Sequence, residues 1–112
     1  MRTEDVTLYS GTVTGDDNSY STPINVKGVG EVVLFLDITA VSGIDPTLAI
    51  SLMTQDTIIN KWFLAGDFDP KTGITSDMTY VINGIGSFIA CKWELTGDNP
   101  SFTFSLNASI KD

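Results

Sequence analysis

The chain has 112 residues, carries a formal charge of −8 from 6 Lys and Arg against 14 Asp and Glu, and contains no His. This length suits one domain with one core, and we expect residues 1–112 to form it. The acidic excess disfavours binding to nucleic acid or to an anionic membrane surface. The lack of His removes the usual general base and the commonest zinc ligand. We therefore expect a binding or assembly domain that is not an enzyme and needs no cofactor.

Alternation of apolar and polar residues recurs between turn-rich segments along the chain and predicts an all-β protein. In the last segment Phe102, Phe104 and Leu106 alternate with small polar residues, as in a strand that covers a core on one face. The eight predicted strands are Asp5–Val13, Tyr20–Val26, Glu31–Val41, Thr47–Thr54, Asn60–Ala65, Thr75–Ile82, Ser87–Leu95 and Ser101–Lys111. Eight short strands favour a two-sheet antiparallel β-sandwich of jelly-roll type, with an immunoglobulin-like sandwich as the alternative.

Two segments of the chain are related in sequence. Residues 42–52 align without gaps on residues 96–106, with Gly, Pro, Ser and Leu identical. Each contains a Gly-x-x-Pro segment between alternating runs, which predicts a hairpin used twice.

Acidic and thiol side chains give weak candidate sites. Asp16-Asp17-Asn18 and the pair Asp67 and Asp69 offer oxygen ligands for calcium, but without a regular calcium-loop spacing, so turn chemistry explains them and no metal site is predicted. Asp37, expected to be partly buried, and Glu94 are two carboxylates inside predicted strands, and a glycosidase would need two such groups facing one cleft. Cys91 lies in an apolar strand and is predicted to be a buried, inert thiol.

The candidate interface residues come from three parts of the chain. Arg2 and Tyr9 belong to the N-terminal segment, of which residues 1–8 are predicted to be a flexible or interface arm. Trp62 and Phe63 are neighbours on a strand and must point to opposite faces, so one of them is expected to be exposed. Exposed coplanar aromatic rings would suit a carbohydrate-binding module. Ser105 and Asn107 lie on the uncharged face of the last strand, which is expected to be central in its sheet or covered by another subunit.

The segment Val32–Gly43, continuing through Pro46–Leu48, resembles small structural proteins of tailed bacteriophages that carry an "FLD-T-A-V-S-G…P-T-L" hairpin. The next "Q-D…K-W" segment of that group is matched by Gln55-Asp56 and Lys61-Trp62. Its closing "W-x-L-x-G…P-S-F-T-F-S" hairpin is matched by Trp93–Gly97 and Pro100–Ser105. The resemblance covers residues 31 to 110.

The resemblance implies a capsid decoration, or cement, protein. Such a protein is a β-sandwich on the outer surface of the virion, where it binds the major capsid protein, and it is made in the host cytoplasm. A homo-oligomer, either a dimer or a trimer, is expected. The alternatives are a phage tail or baseplate β-sandwich protein and a carbohydrate-binding module.

Overall fold

The computed structural model describes residues 3–15, 19–26, 30–56, 58, 60–82 and 85–111, leaving aside the side chains of residues 3, 56 and 82. Seven strands pair antiparallel in one continuous sheet. In chain order they are β1 (Thr3–Thr14), β2 (Ser19–Tyr20), β3 (Ile24–Asn25), β4 (Glu31–Asp56), β5 (Lys61–Asp67), β6 (Thr75–Ile82) and β7 (Phe88–Lys111).

Two long strands, β4 and β7, pair with each other from Glu31↔Lys111 to Gln55↔Phe88. Around residues 31–41 of β4 and 101–111 of β7, the outer strands are β6 and β1. We call this half sheet I. Around residues 47–56 of β4 and 88–96 of β7, the outer strands are β5 on one side and β2 with β3 on the other. We call this half sheet II.

The two sheets fold back on each other and form a sandwich. Trp93 and Phe104 lie eleven residues apart on β7, which would separate them by about 36 Å on a straight strand. Their ring centroids are only 5.8 Å apart, so the strand reverses direction between them. The smallest Cα dimension of the molecule, 20 Å, fits two layers. The all-β sandwich predicted from the alternation is confirmed.

One hydrophobic cluster fills the space between the sheets. It takes alternate residues of each long strand, which is why the period-2 pattern of the sequence is so regular there. The fully buried side chains of largest volume are Phe102, Phe104, Leu34, Leu36, Ile38, Leu48, Ile50, Leu52, Ile89, Leu106, Ile110 and Val13.

The prediction of two hairpins is wrong. The two Gly-x-x-Pro segments lie inside β4 and β7, where both strands bend together and the register shifts between Ser42 and Thr47. Gly43 and Gly97 have φ of +112° and +119°, which glycine adopts without strain. A Cβ on Gly97 would lie 2.6 Å from the Asp45 carbonyl oxygen, so the two bends cross at backbone contact. A bulged crossing and a hairpin turn use the same residue types, and only the pairing partner tells them apart.

The repeat in the sequence corresponds to an approximate two-fold relation in the fold. Residues 1–56 supply β1 to β4, and residues 57–112 supply β5 to β7. Every strand pairing joins a strand of the first half to a strand of the second. The halves are therefore interlocked, and in the part of the chain that the structure describes neither half contains a paired sheet of its own.

The eight predicted strands all correspond to strand segments of the fold. Two predicted pairs merge into β4 and β7, and the predicted Tyr20–Val26 strand divides into β2 and β3, with Pro23 between them. In the described part of the predicted arm, Thr3 to Thr7 are paired with β7, and Leu8 lies at a register shift. Its role at an interface stays a prediction.

Candidate docking surface

An apolar strip lies on the outer face of sheet I. It consists of Val33 and Phe35 of β4 and of Met78 and Tyr80 of β6, which are directly paired as Val33↔Tyr80 and Phe35↔Met78. Paired residues of an antiparallel sheet point to the same face. Phe35 is 43% exposed, Met78 59% and Tyr80 61%, while Val33 is half-buried. Large apolar side chains that are exposed together are typical of a protein interaction surface.

Uncharged polar side chains border the apolar strip on its β7 side. Asn107 is paired with Phe35, and Ser105 with Asp37. A shallow groove is lined by Asn107, by Phe35 to Asp37 of β4 and by Ser76 to Met78 of β6. The Thr7 hydroxyl donates a hydrogen bond of 2.9 Å to Asn107 Oδ1, which fixes the orientation of that amide. The sequence prediction placed Ser105 and Asn107 on an uncharged face, and β7 is central in sheet I, the first of the two options given for it.

An ion pair connects the two sheets beside this surface. The backbone N–H of Lys71 donates to the Leu48 carbonyl of sheet II at 2.9 Å, and the Lys71 carbonyl accepts from the Leu48 N–H at 2.8 Å. The Lys71 ammonium group donates a hydrogen bond of 2.6 Å to Asp77 Oδ2 on β6 of sheet I. Asp77 Oδ1 accepts a further bond of 2.8 Å from the Met78 N–H. These bonds from Lys71 and Met78 hold the pKa of Asp77 below its ordinary value.

Aromatic residues also lie on the outer face of sheet II. Tyr20, 44% exposed, has its ring centroid 6.1 Å from that of Trp62, and the rings are tilted by 46°. They do not form the coplanar platform expected of a carbohydrate-binding module. Lys92 Nζ lies 6.0 Å from the Tyr20 ring centroid, at the limit of a cation–π contact. Of the neighbours Trp62 and Phe63, the more exposed is Phe63, at 48%, as one of them was expected to be.

The predicted carboxylates are not brought together in one cleft. Asp37 is exposed, so the prediction of partial burial is wrong; it lies on the outer face of sheet I and accepts a 2.7 Å hydrogen bond from the Ser76 hydroxyl. Glu94 is exposed on sheet II, 3.4 Å from Lys92 Nζ. The reason is the bend, which places the outer faces of the two sheets on opposite sides of the molecule.

Metal ligands do not cluster in the described part of the chain, where no three His, Cys, Asp or Glu side chains are close enough to hold an ion. Of the acidic turn residues considered for calcium, Asp16-Asp17-Asn18 lie outside the described residues, whereas Asp67 and Asp69 are both exposed. Cys91 is fully buried, as predicted, and burial raises its pKa to about 12. In the same described residues, no helix is long and apolar enough to cross a membrane.

The remaining interface candidates have different positions. The Tyr9 ring packs against the core, with ring centroids 4.5 Å from Trp93 and 5.2 Å from Phe104. Arg2 lies outside the described residues. Sequence reasoning missed Phe35 and Met78, and it did not place Tyr80 beside them. The alternation within each strand places them on an outer face, but only the register of β4 on β6 shows that they are neighbours.

Comparison with known proteins gives a likeness in fold. No family model matches the chain, and no curated protein matches it. Solved structures of infectious bursal disease virus are similar to it, with a TM-score of 0.54 and 12% identity for both the Gx and the Gt strain. The matches cover 97% and 98% of this chain, respectively. The chain spans 31% and 33% of the matched viral chains, so the likeness concerns one part of each.

Proposed function

We propose that this chain is a noncatalytic structural protein of a virus particle, a capsid decoration or cement protein that binds the outer surface of the major capsid shell. The observation that carries the proposal is the apolar strip of sheet I, with its uncharged border at Ser105 and Asn107. The fold shared with chains of a virus structure supports the same class of function. The resemblance of residues 31–110 to structural proteins of tailed bacteriophages suggests the major capsid shell as the binding partner.

The chemistry of the surface fits this role. Burying Phe35, Met78 and Tyr80 against another protein removes apolar area from water, which favours association. The acidic excess of the chain keeps it soluble and away from packaged nucleic acid. A protein that binds only the assembled shell stabilises that shell by mass action, and no reaction is required. Several linked copies would strengthen modest contacts through avidity.

The test is binding to empty, expanded shells assembled from the major capsid protein of the virus that encodes this chain. Co-sedimentation gives the dissociation constant, and the melting temperature of the shell reports stabilisation. We expect binding by the unmodified chain and a higher melting temperature. The variant with Phe35→Ser and Met78→Ser should bind at least about tenfold more weakly, because truncating central apolar side chains of an interface commonly costs more than 1 kcal/mol each.

The matched control variant carries Tyr20→Ser and Leu64→Ser on sheet II. These side chains are 44% and 62% exposed, close to the values for Phe35 and Met78, so the loss of apolar surface is similar. The control should bind as the unmodified chain does. Absence of binding to the shell at micromolar concentration contradicts the decoration role, and binding to purified tails or baseplates instead supports the tail alternative. Equal loss in both variants contradicts the assignment of the face.

A further inference from the structure

The sandwich has four outer strand edges, and three of them carry the features that prevent pairing with another sheet. β1 has a register shift between Thr7 and Tyr9 and begins with acidic residues. β5 has a register shift opposite Leu52 and Met53. β2 and β3 are two residues long each, with Pro23 between them.

The fourth edge, β6, is regular. Its eight residues pair with β4 in unbroken register from Glu31↔Ile82 to Ile38↔Thr75. Within the described residues β6 pairs with β4 alone, and β5 of the facing sheet approaches it at Gly66 and Val81 without strand pairing. β6 contains no Pro and no Lys, and its one charged residue is Asp77.

The Asp77 carboxylate blocks this edge at one point. Along a strand, the N–H groups of successive residues point alternately to the two edges of the strand. The Met78 N–H donates to Asp77 Oδ1 at 2.8 Å, so it faces the open edge and not β4. Lys71 holds the same carboxylate through its other oxygen at 2.6 Å. The Asp77 side chain therefore takes up the Met78 N–H, the central hydrogen-bond donor of this edge, and so prevents it from bonding to another strand.

We propose that β6 is a pairing edge for a second copy of this chain, joined antiparallel about Met78, and that Asp77 held by Lys71 is the latch that keeps the edge closed. This proposal does not depend on the proposed function, because it concerns the isolated chain. Burial of an apolar patch alone would not define how two copies are arranged, whereas pairing along β6 defines both the strand and the register.

In an antiparallel pair about a two-fold axis, the residue at the axis faces its own copy. Ser76, Met78 and Tyr80 all direct their N–H to the open edge, and we place the axis at Met78 because its N–H is the one that the Asp77 carboxylate covers. Ser76 then opposes Tyr80 of the second copy, and Asp77 opposes Thr79. No carboxylate faces a carboxylate across the seam, although each copy carries a charge of −8. The Thr79 hydroxyl can donate to the Asp77 carboxylate once that group leaves the Met78 N–H.

The apolar strip favours a second copy as the occupant of this edge. Met78 and Tyr80 lie on the outer face of β6 itself, with Phe35 beside them on β4. Pairing about Met78 would join the strips of the two copies into one continuous apolar band across the seam. The side chains that are most exposed in one copy would thus be flanked by those of the other.

The first experiment measures the monomer–dimer equilibrium of the purified chain by analytical ultracentrifugation. The unmodified chain is expected to be a monomer at micromolar concentration. The dimer dissociation constant should fall at least about tenfold in Asp77→Ala and in Asp77→Thr, since each variant frees the Met78 N–H for pairing. Two variants are used in case one of them folds poorly. Adding Met78→Pro should restore the monomer, because it removes an N–H that β4 does not use.

The second experiment tests the register by disulfide formation in the Asp77→Ala background. Met78→Cys would face itself with Cα atoms about 5.5 Å apart, within disulfide range. Ser76→Cys, the matched control, would face Tyr80, and its own copies would be about 13 Å apart along the strand. Cys91 is buried and does not interfere. Cross-linking at position 78 and not at 76 supports the proposal. Monomers in both Asp77 variants, dimers that persist with Met78→Pro, or equal cross-linking at both positions would overturn it.

Discussion

The crossing of β4 and β7 makes a sharp prediction for Gly43→Ala and Gly97→Ala. At φ of +112° and +119°, an alanine costs about 1–3 kcal/mol in backbone strain. The new Cβ would lie 2.7 Å from the Asn99 carbonyl oxygen in the first variant and 2.6 Å from that of Asp45 in the second. Both neighbours are backbone atoms and move only with the strand, which adds about 1–3 kcal/mol.

We expect each variant to lose about 2–6 kcal/mol of unfolding free energy, and about 4 °C of melting temperature for each kcal/mol at this chain length. The measurements are urea unfolding and a thermal melt followed by circular dichroism. Two controls separate the causes. Gly15→Ala has a φ of +65° but open space around the new Cβ, so it should lose about 1 kcal/mol. Gly73→Ala has open space and no positive φ, and should stay within about 0.5 kcal/mol.

The reasoning is refuted if Gly43→Ala and Gly97→Ala are no less stable than Gly15→Ala, because close backbone approach would then contribute nothing. It is also refuted if only one of the two is destabilised, since the two bends have nearly the same geometry.

Three further predictions concern the core and the ion pair. Phe104→Ala should lower the free energy of unfolding in urea by about 3–5 kcal/mol, because Phe104 is 2% exposed and packs on Tyr9 and Trp93. Phe63→Ala, at a site that is 48% exposed, should lower it far less. Equal losses would contradict the assigned core. Cys91, with a pKa raised to about 12, should resist a thiol reagent at neutral pH until denaturant is added, and fast labelling of the folded chain would show that the site is open. The pKa of Asp77 is lowered in the folded chain, so its contribution to stability is present above the ordinary carboxyl pKa and lost as the pH falls through the lower folded value. Asp77→Asn should therefore weaken folding at neutral pH and reduce the loss of stability below about pH 4, and an unchanged acid profile would contradict the ion pair with Lys71.

The sandwich could be predicted from the sequence, whereas the crossing of β4 and β7 could not. The alternation of residues 101–111 predicts the buried face correctly, because a strand has a period of two whatever it pairs with. The repeat of Gly43 and Gly97 was visible, but its meaning depends on which strand lies opposite, and local residue types do not encode that.

The candidate surface was harder to predict for the same reason. Phe35 and Met78 are far apart in sequence and become neighbours only through the pairing of β4 with β6. The carboxylates Asp37 and Glu94 show the converse, since the sequence left their relative position open and the bend in the strands separates them. The adjacency of Trp62 and Phe63 predicted that one of the two is exposed, but only the structure shows that Phe63 is the more exposed one.

The interlocking of the two halves has a consequence for how the chain is made. β7 is an inner strand of both sheets, and it leaves the ribosome after every strand that pairs with it. Among the described residues, β7 is the only partner of β1, β2 and β3. These pairs join residues that are distant in sequence, which slows folding. A product that stops short of β7 would expose unpaired strands to proteases. Because of this topology, only a chain that extends through β7 can pair the backbone groups of β1, β2 and β3, so incomplete chains are distinguished from complete ones by their unpaired strands.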